Sequence, residues 1–247
     1  MKHEAKQREE EAVIMEAIVK IRQLLPQTGG RKLQHHLQRE GIEVGRDRLL
    51  RLLKEKGLVI VQKKNYRKTT ESRHGMRVYR NLVKGANPTA PNQVMVSDIT
   101  YISTLEGYCY LSLLMDLFSR KIIGYHLSKS LAVEGSMEAL WMALRGLNHP
   151  KDVIHHSDRG VQYCCKDYIT ILKKKKMRIS MTEQDHVYEN ANAERLNGIL
   201  KHELMLGGTL PSRAVAQKLV KNSIDLYNNK RLHMALNYRT PNEVHLA

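Results

Sequence analysis

The chain is poor in cysteine, with only Cys109, Cys164 and Cys165 among its 247 residues. None of them has the spacing of zinc ligands, and adjacent cysteines rarely join each other in a disulfide. His35 and His36 do not complete a zinc finger with the adjacent pair, because the spacing is wrong and the pairs fall in different predicted domains. The sequence therefore predicts free thiols in a reducing compartment.

Long apolar runs are also missing, since no segment approaches the roughly 20 residues that a transmembrane helix needs. Residues 1–11 are charged and polar, which argues against a secretory signal. No glycine-rich phosphate loop occurs, so no nucleotide cofactor is implied. These absences predict a protein of the bacterial cytoplasm, associated with the nucleoid and without a membrane partner.

Acidic residues are few relative to basic ones. The chain has 25 Asp and Glu against 41 Lys and Arg, which gives a formal net charge of +16. Such an excess predicts a polyanionic partner, most simply nucleic acid, because each neutralised phosphate releases condensed counterions. A ribosomal or RNA-coating protein would carry the same charge, so composition alone leaves that class open.

Residues 1–60 show helical periodicity and predict a small all-α domain. Helices are predicted over 4–25, 31–39 and 46–56. A helix, a short glycine-bearing turn and a second helix are typical of a helix-turn-helix, in which Arg46 and Arg48 would open the recognition helix. These two arginines are candidate DNA contacts, although an ordinary three-helix unit has the same pattern. The first helix is also a candidate dimer contact.

Residues 61–90 are rich in basic side chains and poor in apolar ones, and proline-bearing turns close the segment. We interpret this stretch as a basic linker that is mobile without its partner. Its charges suit a phosphate backbone. A solvated spacer is the alternative interpretation.

Residues 91–247 have the pattern of a sheet covered by helices. Strands are predicted over 94–102, 108–115, 121–127, 153–156 and 178–181, and helices over 134–147, 166–176, 190–204 and 214–227. The first three strands have short connections and predict an antiparallel meander, whereas the fourth follows a helix and is expected to pair in parallel. This order matches an α/β fold of the ribonuclease H type: a mixed five-stranded sheet with helices on both faces.

Three acidic residues fall at separate places in this predicted domain. Asp98 shares a strand face with Val94 and Val96, where an unpaired carboxylate costs several kcal/mol to bury. Asp158 follows the fourth strand, and thirty-five residues separate it from Glu194 in a helix. Because the first and fourth strands are expected to be neighbours, Asp98 and Asp158 should meet at one edge of the sheet.

Convergent carboxylates in a basic protein predict a divalent-metal site that acts on phosphate. Two ions about 4 Å apart can activate the attacking oxygen and stabilise the leaving oxygen of a phosphodiester. Mg²⁺, or Mn²⁺ in its place, prefers a few carboxylates with water and phosphate oxygens. Asp116 is a rival ligand, but the turn residues 118–120 that follow favour a structural role. A lone Glu194 on a helix would ordinarily be solvated.

The helix predicted over 190–204 carries a polar stripe at steps of four, three and four residues, made of Asn190, Glu194, Asn197 and Lys201. The apolar side of this helix is expected to pack against the domain. That orientation leaves the stripe facing the metal site and the DNA.

Polar residues also flank Asp158 in the sequence. Arg159 and Gln162 follow it and are candidates for holding the DNA backbone or positioning the loop. His155 and His156 precede it. One of these two histidines is expected to point into the core as a neutral, hydrogen-bonded imidazole, and a catalytic role is disfavoured for either.

The chain resembles the DDE integrase core in three motifs. They read Ser-Asp-Ile-Thr-Tyr-Ile at 97–102, His-Ser-Asp-Arg-Gly-Val-Gln-Tyr at 156–163 and Tyr-Glu-Asn-Ala-Asn-Ala-Glu-Arg at 188–195. With its helix-turn-helix region at 31–60 and a C-terminal signature over 227–241, the chain is most similar to OrfB proteins of the IS-three group of bacterial insertion sequences. Met95 stands in place of the usual tryptophan, and 185–187 lacks the usual proline or glycine.

The resemblance implies a transposase that uses Asp98, Asp158 and Glu194 as catalytic metal ligands to cleave transposon ends and join them to target DNA. It also implies that Lys201 contacts DNA near the cleaved end, and Arg231 of the C-terminal signature is a further candidate DNA contact. A homo-multimer on DNA is expected.

Two alternatives remain beside this prediction. In this family the active enzyme is often a frameshift fusion with an upstream reading-frame product, so the chain alone would then bind DNA and modulate transposition without cutting. An RNA-hybrid nuclease of the same fold is the other alternative, which neither the basic N-terminal module nor the C-terminal signature supports.

Overall fold

The computed structural model describes residues 2–60, 75–183 and 191–247. Its N-terminal part consists of three helices: α1 (Lys2–Leu24), α2 (Gly30–Arg39) and α3 (Arg46–Glu55). They pack around fully buried side chains such as Ile18, Leu33 and Leu49. The three predicted helices are therefore present with nearly the predicted bounds. No helix in the described ranges is long and apolar enough to cross a bilayer.

A mixed five-stranded sheet forms the centre of the larger domain. Its strands are β1 (Val94–Thr104), β2 (Gly107–Asp116), β3 (Ile122–Ser128), β4 (Ile154–Ser157) and β5 (Arg178–Met181), in the spatial order β3-β2-β1-β4-β5. The β1–β2 and β2–β3 pairs are antiparallel, whereas β1–β4 and β4–β5 are parallel. This arrangement confirms the predicted ribonuclease H-type sheet, including the parallel pairing reached through a helix.

Helices cover both faces of the sheet. They are α4 (Val133–Arg145), α5 (Val161–Cys164), α6 (Lys166–Lys174), α7 (Ala191–Gly198), α8 (Arg213–Asn229) and α9 (Pro241–His245). Alternation along β1 separates two cores, because successive side chains point to opposite faces. Val94 and Val96 pack with α7 and α8, and Met95 packs with α4 and α6.

The helix predicted as continuous over 190–204 is interrupted. It ends as an α-helix at Gly198 and widens into a π-helical turn over Ile199–Glu203. The amide of Leu204 bonds to the carbonyl of Ile199 at 3.2 Å, five residues back, and the amide of Gly207 bonds to that of Lys201 at 3.0 Å. Local sequence pattern does not reveal this widening, since the apolar spacing continues through it. π-Helical turns often occur at functional sites.

The prediction of a mobile basic linker through residue 90 is wrong for its described part, residues 75–90. Met76 and Tyr79 pack against the α4–α6 core, and Val83 packs against the opposite core. The amide of Leu82 donates to Oγ of Ser180 on β5 at 2.8 Å. A few apolar side chains among the charged residues are enough to keep residues 75–83, which we call the strap, packed on the domain. Residues 61–74 of the predicted linker lie outside the described residues.

Candidate active site

The parallel pairing of β1 with β4 places two of the predicted carboxylates side by side, just beyond the last paired residues of these two strands. Val96 is the register partner of His156, so Asp98 and Asp158, each two residues further on, are level with each other. Asp98 lies within β1, and Asp158 is the residue that follows β4. Both are half-buried. Asp98 and Asp158 are thus neighbours, as the sequence predicted, although Asp98 lies in the middle of the central strand.

These two carboxylates interact electrostatically. The pKa of Asp98 is raised to about 7, first by burial and then by the negative charge of Asp158, with a smaller contribution from Glu194. Hydrogen bonds from the amide of Ile99 and from Asn197 act in the opposite direction. Near neutral pH, the neighbouring hydrogen-bond donors therefore do not fully balance the negative charge of the carboxylates. A bound divalent cation would relieve that repulsion.

Glu194 lies in the first turns of α7 with its side chain exposed. Its charge reaches Asp98, but in the part of the chain that the structure describes no group of three or more His, Cys, Asp or Glu side chains is arranged so that it could hold a metal ion. The structure thus brings Asp98 and Asp158 together and leaves Glu194 beside them, outside a closed ligand set. The donor chemistry of the pair nevertheless fits Mg²⁺ or Mn²⁺.

Two residues of the polar stripe on α7 face Asp98. Nδ2 of Asn197 donates to Oδ2 of Asp98 at 2.6 Å. Burial lowers the pKa of Lys201, and the negative charge of Asp98 partly offsets that effect. The ammonium of Lys201 is therefore close enough to Asp98 to interact with it electrostatically. The amide group of Asn197, predicted as a DNA contact, is thus engaged by a carboxylate of the site. Asn190, the remaining member of the stripe, lies outside the described residues.

The loop after β4 holds Asp158 in place. The amide of Gly160 donates to Oδ1 of Asp158 at 2.9 Å, and a Cβ at Gly160 would stand 3.0 Å from that oxygen. Nε of Arg159 donates to the carbonyl of Thr182 at 2.7 Å, and Nε2 of Gln162 donates to that of Leu131 at 2.7 Å. Both predicted DNA contacts therefore anchor the loop to its neighbours. Whether they also touch DNA stays a prediction.

Comparisons with known proteins agree with this geometry. Two family models, both described as integrase core domain, match residues 88–186 and 175–241. The transposase for insertion sequence element IS629 of Shigella sonnei is 34% identical over 223 residues, which cover 89% of this chain and 74% of that protein. The transposase InsF for insertion sequence IS3A of Escherichia coli is 32% identical over 225 residues, covering 90% and 77%. The chain belongs to the DDE transposases of the IS3 group.

A further relative of this transposase is the insertion element IS600 uncharacterized 31 kDa protein of Shigella sonnei. It is 40% identical over 215 residues, which cover 86% of this chain and 79% of that protein. The assignment makes the chain a DNA transposase and a polynucleotidyl transferase.

Solved structures show the same fold at low identity. The HTLV-2 integrase catalytic core domain, determined in complex with magnesium, has a TM-score of 0.52 and 17% identity and covers 64% of this chain and 99% of its own. A simian T-cell lymphotropic virus intasome chain has a TM-score of 0.56 and 18% identity, covering 89% and 71%.

Two buried histidines of the transposase precede Asp158 on β4. Nε2 of His155 lies 2.9 Å from the hydroxyl of Tyr168, and Nδ1 of His156 lies 2.9 Å from Oγ of Ser180. Burial and the neighbouring His156 lower the pKa of His155 to about 3, so its imidazole is neutral. His155 is therefore the neutral imidazole in the core that was predicted for one of the two histidines.

Asp116 of the transposase makes a turn, as its sequence context predicted. Its fully buried Oδ1 accepts hydrogen bonds from the amide and the hydroxyl of Ser119, both at 2.7 Å. The guanidinium of Arg120 in the same turn donates to Oδ1 of Asn192. That contact ties the turn to the start of α7, and no periodicity in the sequence pointed to it.

The prediction that Arg231 contacts DNA is not supported by its position. Its side chain is only 8% exposed and forms two hydrogen bonds to Glu203, from Nε at 2.9 Å and from Nη2 at 2.7 Å. At the N-terminal helices, Arg46 is paired with exposed Asp47 at 3.1 Å and Arg48 with Glu10 at 3.2 Å. Surface pairs of this kind are weak, so both arginines stay available to a phosphate.

Proposed function

We propose that Asp98, Asp158 and Glu194 form the catalytic site at which this transposase cleaves transposon ends and joins them to target DNA. The observation that supports the proposal is the electrostatic interaction of Asp98 and Asp158 on adjacent parallel strands. Two neighbouring carboxylates repel each other, and a divalent cation bound between them would relieve that repulsion.

Asp98 and Asp158 would hold a divalent cation, Mg²⁺ or Mn²⁺, in a pair of ions, and Glu194 would complete the ligand set when DNA is bound. Such ions supply an activated attacking oxygen and a stabilised leaving oxygen. An open ligand set in the unbound protein is compatible with this role, since catalytic geometry often tightens only in the complex.

The residues around the pair orient it. The amide group of Asn197 directs one oxygen of Asp98, and the amide of Gly160 directs one oxygen of Asp158. Lys201, next to Asp98, is suited to bind a phosphate beside the cleaved bond. Further DNA backbone contacts are proposed for Arg159, Gln162 and Asn190, and contacts to the transposon end for Arg46 and Arg48.

The proposal extends to the partners and the compartment. Because two transposon ends must be processed in one event, we propose a homo-multimer on DNA in the bacterial cytoplasm, associated with the nucleoid. A fusion with an upstream reading-frame product would add a second DNA-binding module. If the chain acts only in that form, the chain alone would bind ends without cutting them.

The decisive experiment combines Asp98→Asn, Asp158→Asn and Glu194→Gln with labelled transposon ends and Mg²⁺. Each single change should lower strand cleavage and joining by about 10³-fold or more while end binding changes less than about twofold. Asp167→Asn is the matched control, since Asp167 is an exposed carboxylate on α6. Retained cleavage in any one variant would remove that residue from the site. The same assay with and without the fused upstream product separates the enzyme from a non-cleaving modulator.

A further inference from the structure

The C-terminal signature over 227–241 supplies Arg231 to Glu203 and Tyr238 to α2. It forms part of a surface that contacts α2 of the N-terminal helices. Three α2 side chains at steps of three and four residues, Lys32, His35 and Arg39, lie on one helix face and make these contacts. We call this set of α2 side chains the docking face.

The docking face meets three separate groups. The ring of His35 stacks on Tyr238 with centroids 3.5 Å apart. Arg39 donates to both carboxylate oxygens of Glu243, at 2.9 and 3.2 Å, and to the carbonyl of Tyr238 at 2.9 Å. Nζ of Lys32 reaches Oε2 of Glu203 at 2.9 Å. Ion pairs, an aromatic stack and a backbone hydrogen bond therefore fix the position of α2 on this surface.

Glu203 is the centre of this contact. It accepts from Lys32 on one side and from Arg231 on the other. Burial alone would raise its pKa, but the hydrogen bonds and charges of the two cations bring that pKa below its usual value. All three side chains are at most 20% exposed, so the interaction is far less screened by solvent than a surface pair. Loss of Glu203 would leave two buried cations uncompensated.

Glu203 also ends the π-helical turn that continues α7. The segment over 191–203 is thus held by polar contacts at three points: at Asn192 by Arg120, at Asn197 by Asp98, and at Glu203 by α2 and the C-terminal signature. Glu194 lies at the other end of the same segment. A displacement of α2 changes the partner of Glu203 and hence the support of the helix that presents Glu194.

We propose that Lys32 and Glu203 are positioning residues. The contact of α2 with the C-terminal signature keeps the helix that carries Glu194 in its position beside Asp98. The N-terminal helices thereby influence the reaction from a distance. This inference rests on the proposed function of Asp98, Asp158 and Glu194, and it gives the C-terminal signature a docking role instead of a DNA contact.

The test compares Lys32→Met with Lys32→Arg, which keeps the charge, and with Lys20→Met, which removes an exposed ion pair to Glu16 on α1. Amide hydrogen exchange over 191–203 should be about tenfold faster in Lys32→Met and unchanged in both other variants. On saturating labelled ends with Mg²⁺, the cleavage rate should fall about tenfold in Lys32→Met, with end affinity within about twofold. Lys32→Arg should cleave at nearly the original rate.

Unchanged exchange over 191–203 in Lys32→Met would overturn the inference, as would a loss of cleavage that only follows a loss of end affinity. Glu203→Gln is the second variant and should speed exchange in the same segment at least as much. The exchange result does not depend on the metal site. If exchange responds while Asp98→Asn still cleaves DNA, the docking role stands and the proposed catalytic site fails.

Discussion

Asn197 donates a hydrogen bond of 2.6 Å from Nδ2 to Oδ2 of Asp98 and thereby joins α7 to the central strand of the sheet. The two residues are ninety-nine positions apart in the chain. The bond favours the ionised form of Asp98, against burial and the charge of Asp158. The position of α7 therefore influences the pKa of Asp98.

Replacement of Asn197 with alanine should shift the acid limb of the cleavage profile to higher pH, because the pKa of Asp98 rises when its donor is lost. The cleavage rate at pH 7 should fall about tenfold. The measurement is the pH dependence of cleavage of labelled ends in saturating Mg²⁺. Asn222→Ala, at an exposed position on α8, is the control and should leave the profile unchanged.

Asp98→Asn should stabilise the metal-free protein at pH 8. A carboxyl whose pKa is raised to about 7 binds more protons in the folded than in the unfolded state, so the folded protein loses stability as pH rises from about 4 to about 7. Asparagine has no carboxyl to ionise, so the Asp98→Asn variant does not lose this stability as pH rises. Urea unfolding in EDTA should give a variant more stable by about 2 kcal/mol at pH 8, with little difference at pH 4. An equal gain at both pH values would contradict this account.

The buried His155 should contribute to acid unfolding. Because its pKa is lowered to about 3, the folded state binds fewer protons than the unfolded state between about pH 6.5 and pH 3. Stability is therefore fully present above pH 6.5 and is lost as pH falls through that window. His155→Phe should reduce the slope of unfolding free energy against pH by up to about one proton. The exposed His149 offers the matched control, His149→Phe, which should leave the slope as it is.

Gly124→Ala should destabilise the catalytic domain. Gly124 lies on β3 where α4 crosses, and an added Cβ would overlap the carbonyl oxygen of Ala139. Because that oxygen belongs to helix backbone, α4 would have to move away from the sheet, at a cost of about 2–3 kcal/mol. Chemical denaturation provides the measurement. Gly146→Ala, at the end of α4 with ordinary contacts, should change stability by less than about 1 kcal/mol.

The helices and strands that could be predicted are those in which apolar residues recur at regular spacing along the sequence. The strand alternation around Val94 and Val96 and the helical spacing of the N-terminal leucines lead to the observed sheet and helices. The short α5 and α9 were not predicted, since four or five residues carry too little periodicity. The packed strap over 75–83 was missed because a few apolar contacts outweigh a charged composition.

The sequence by itself determined the family, the sheet order and the neighbouring positions of the two aspartates, because motif spacing and strand pairing depend on local pattern and on handedness rules. Only the tertiary structure decided the partners of polar side chains. Glu203 pairs with Arg231 and Lys32, and Asn197 with Asp98, across separations that no local pattern records. Burial and charge compensation select such partners, and both exist only once the chain has folded.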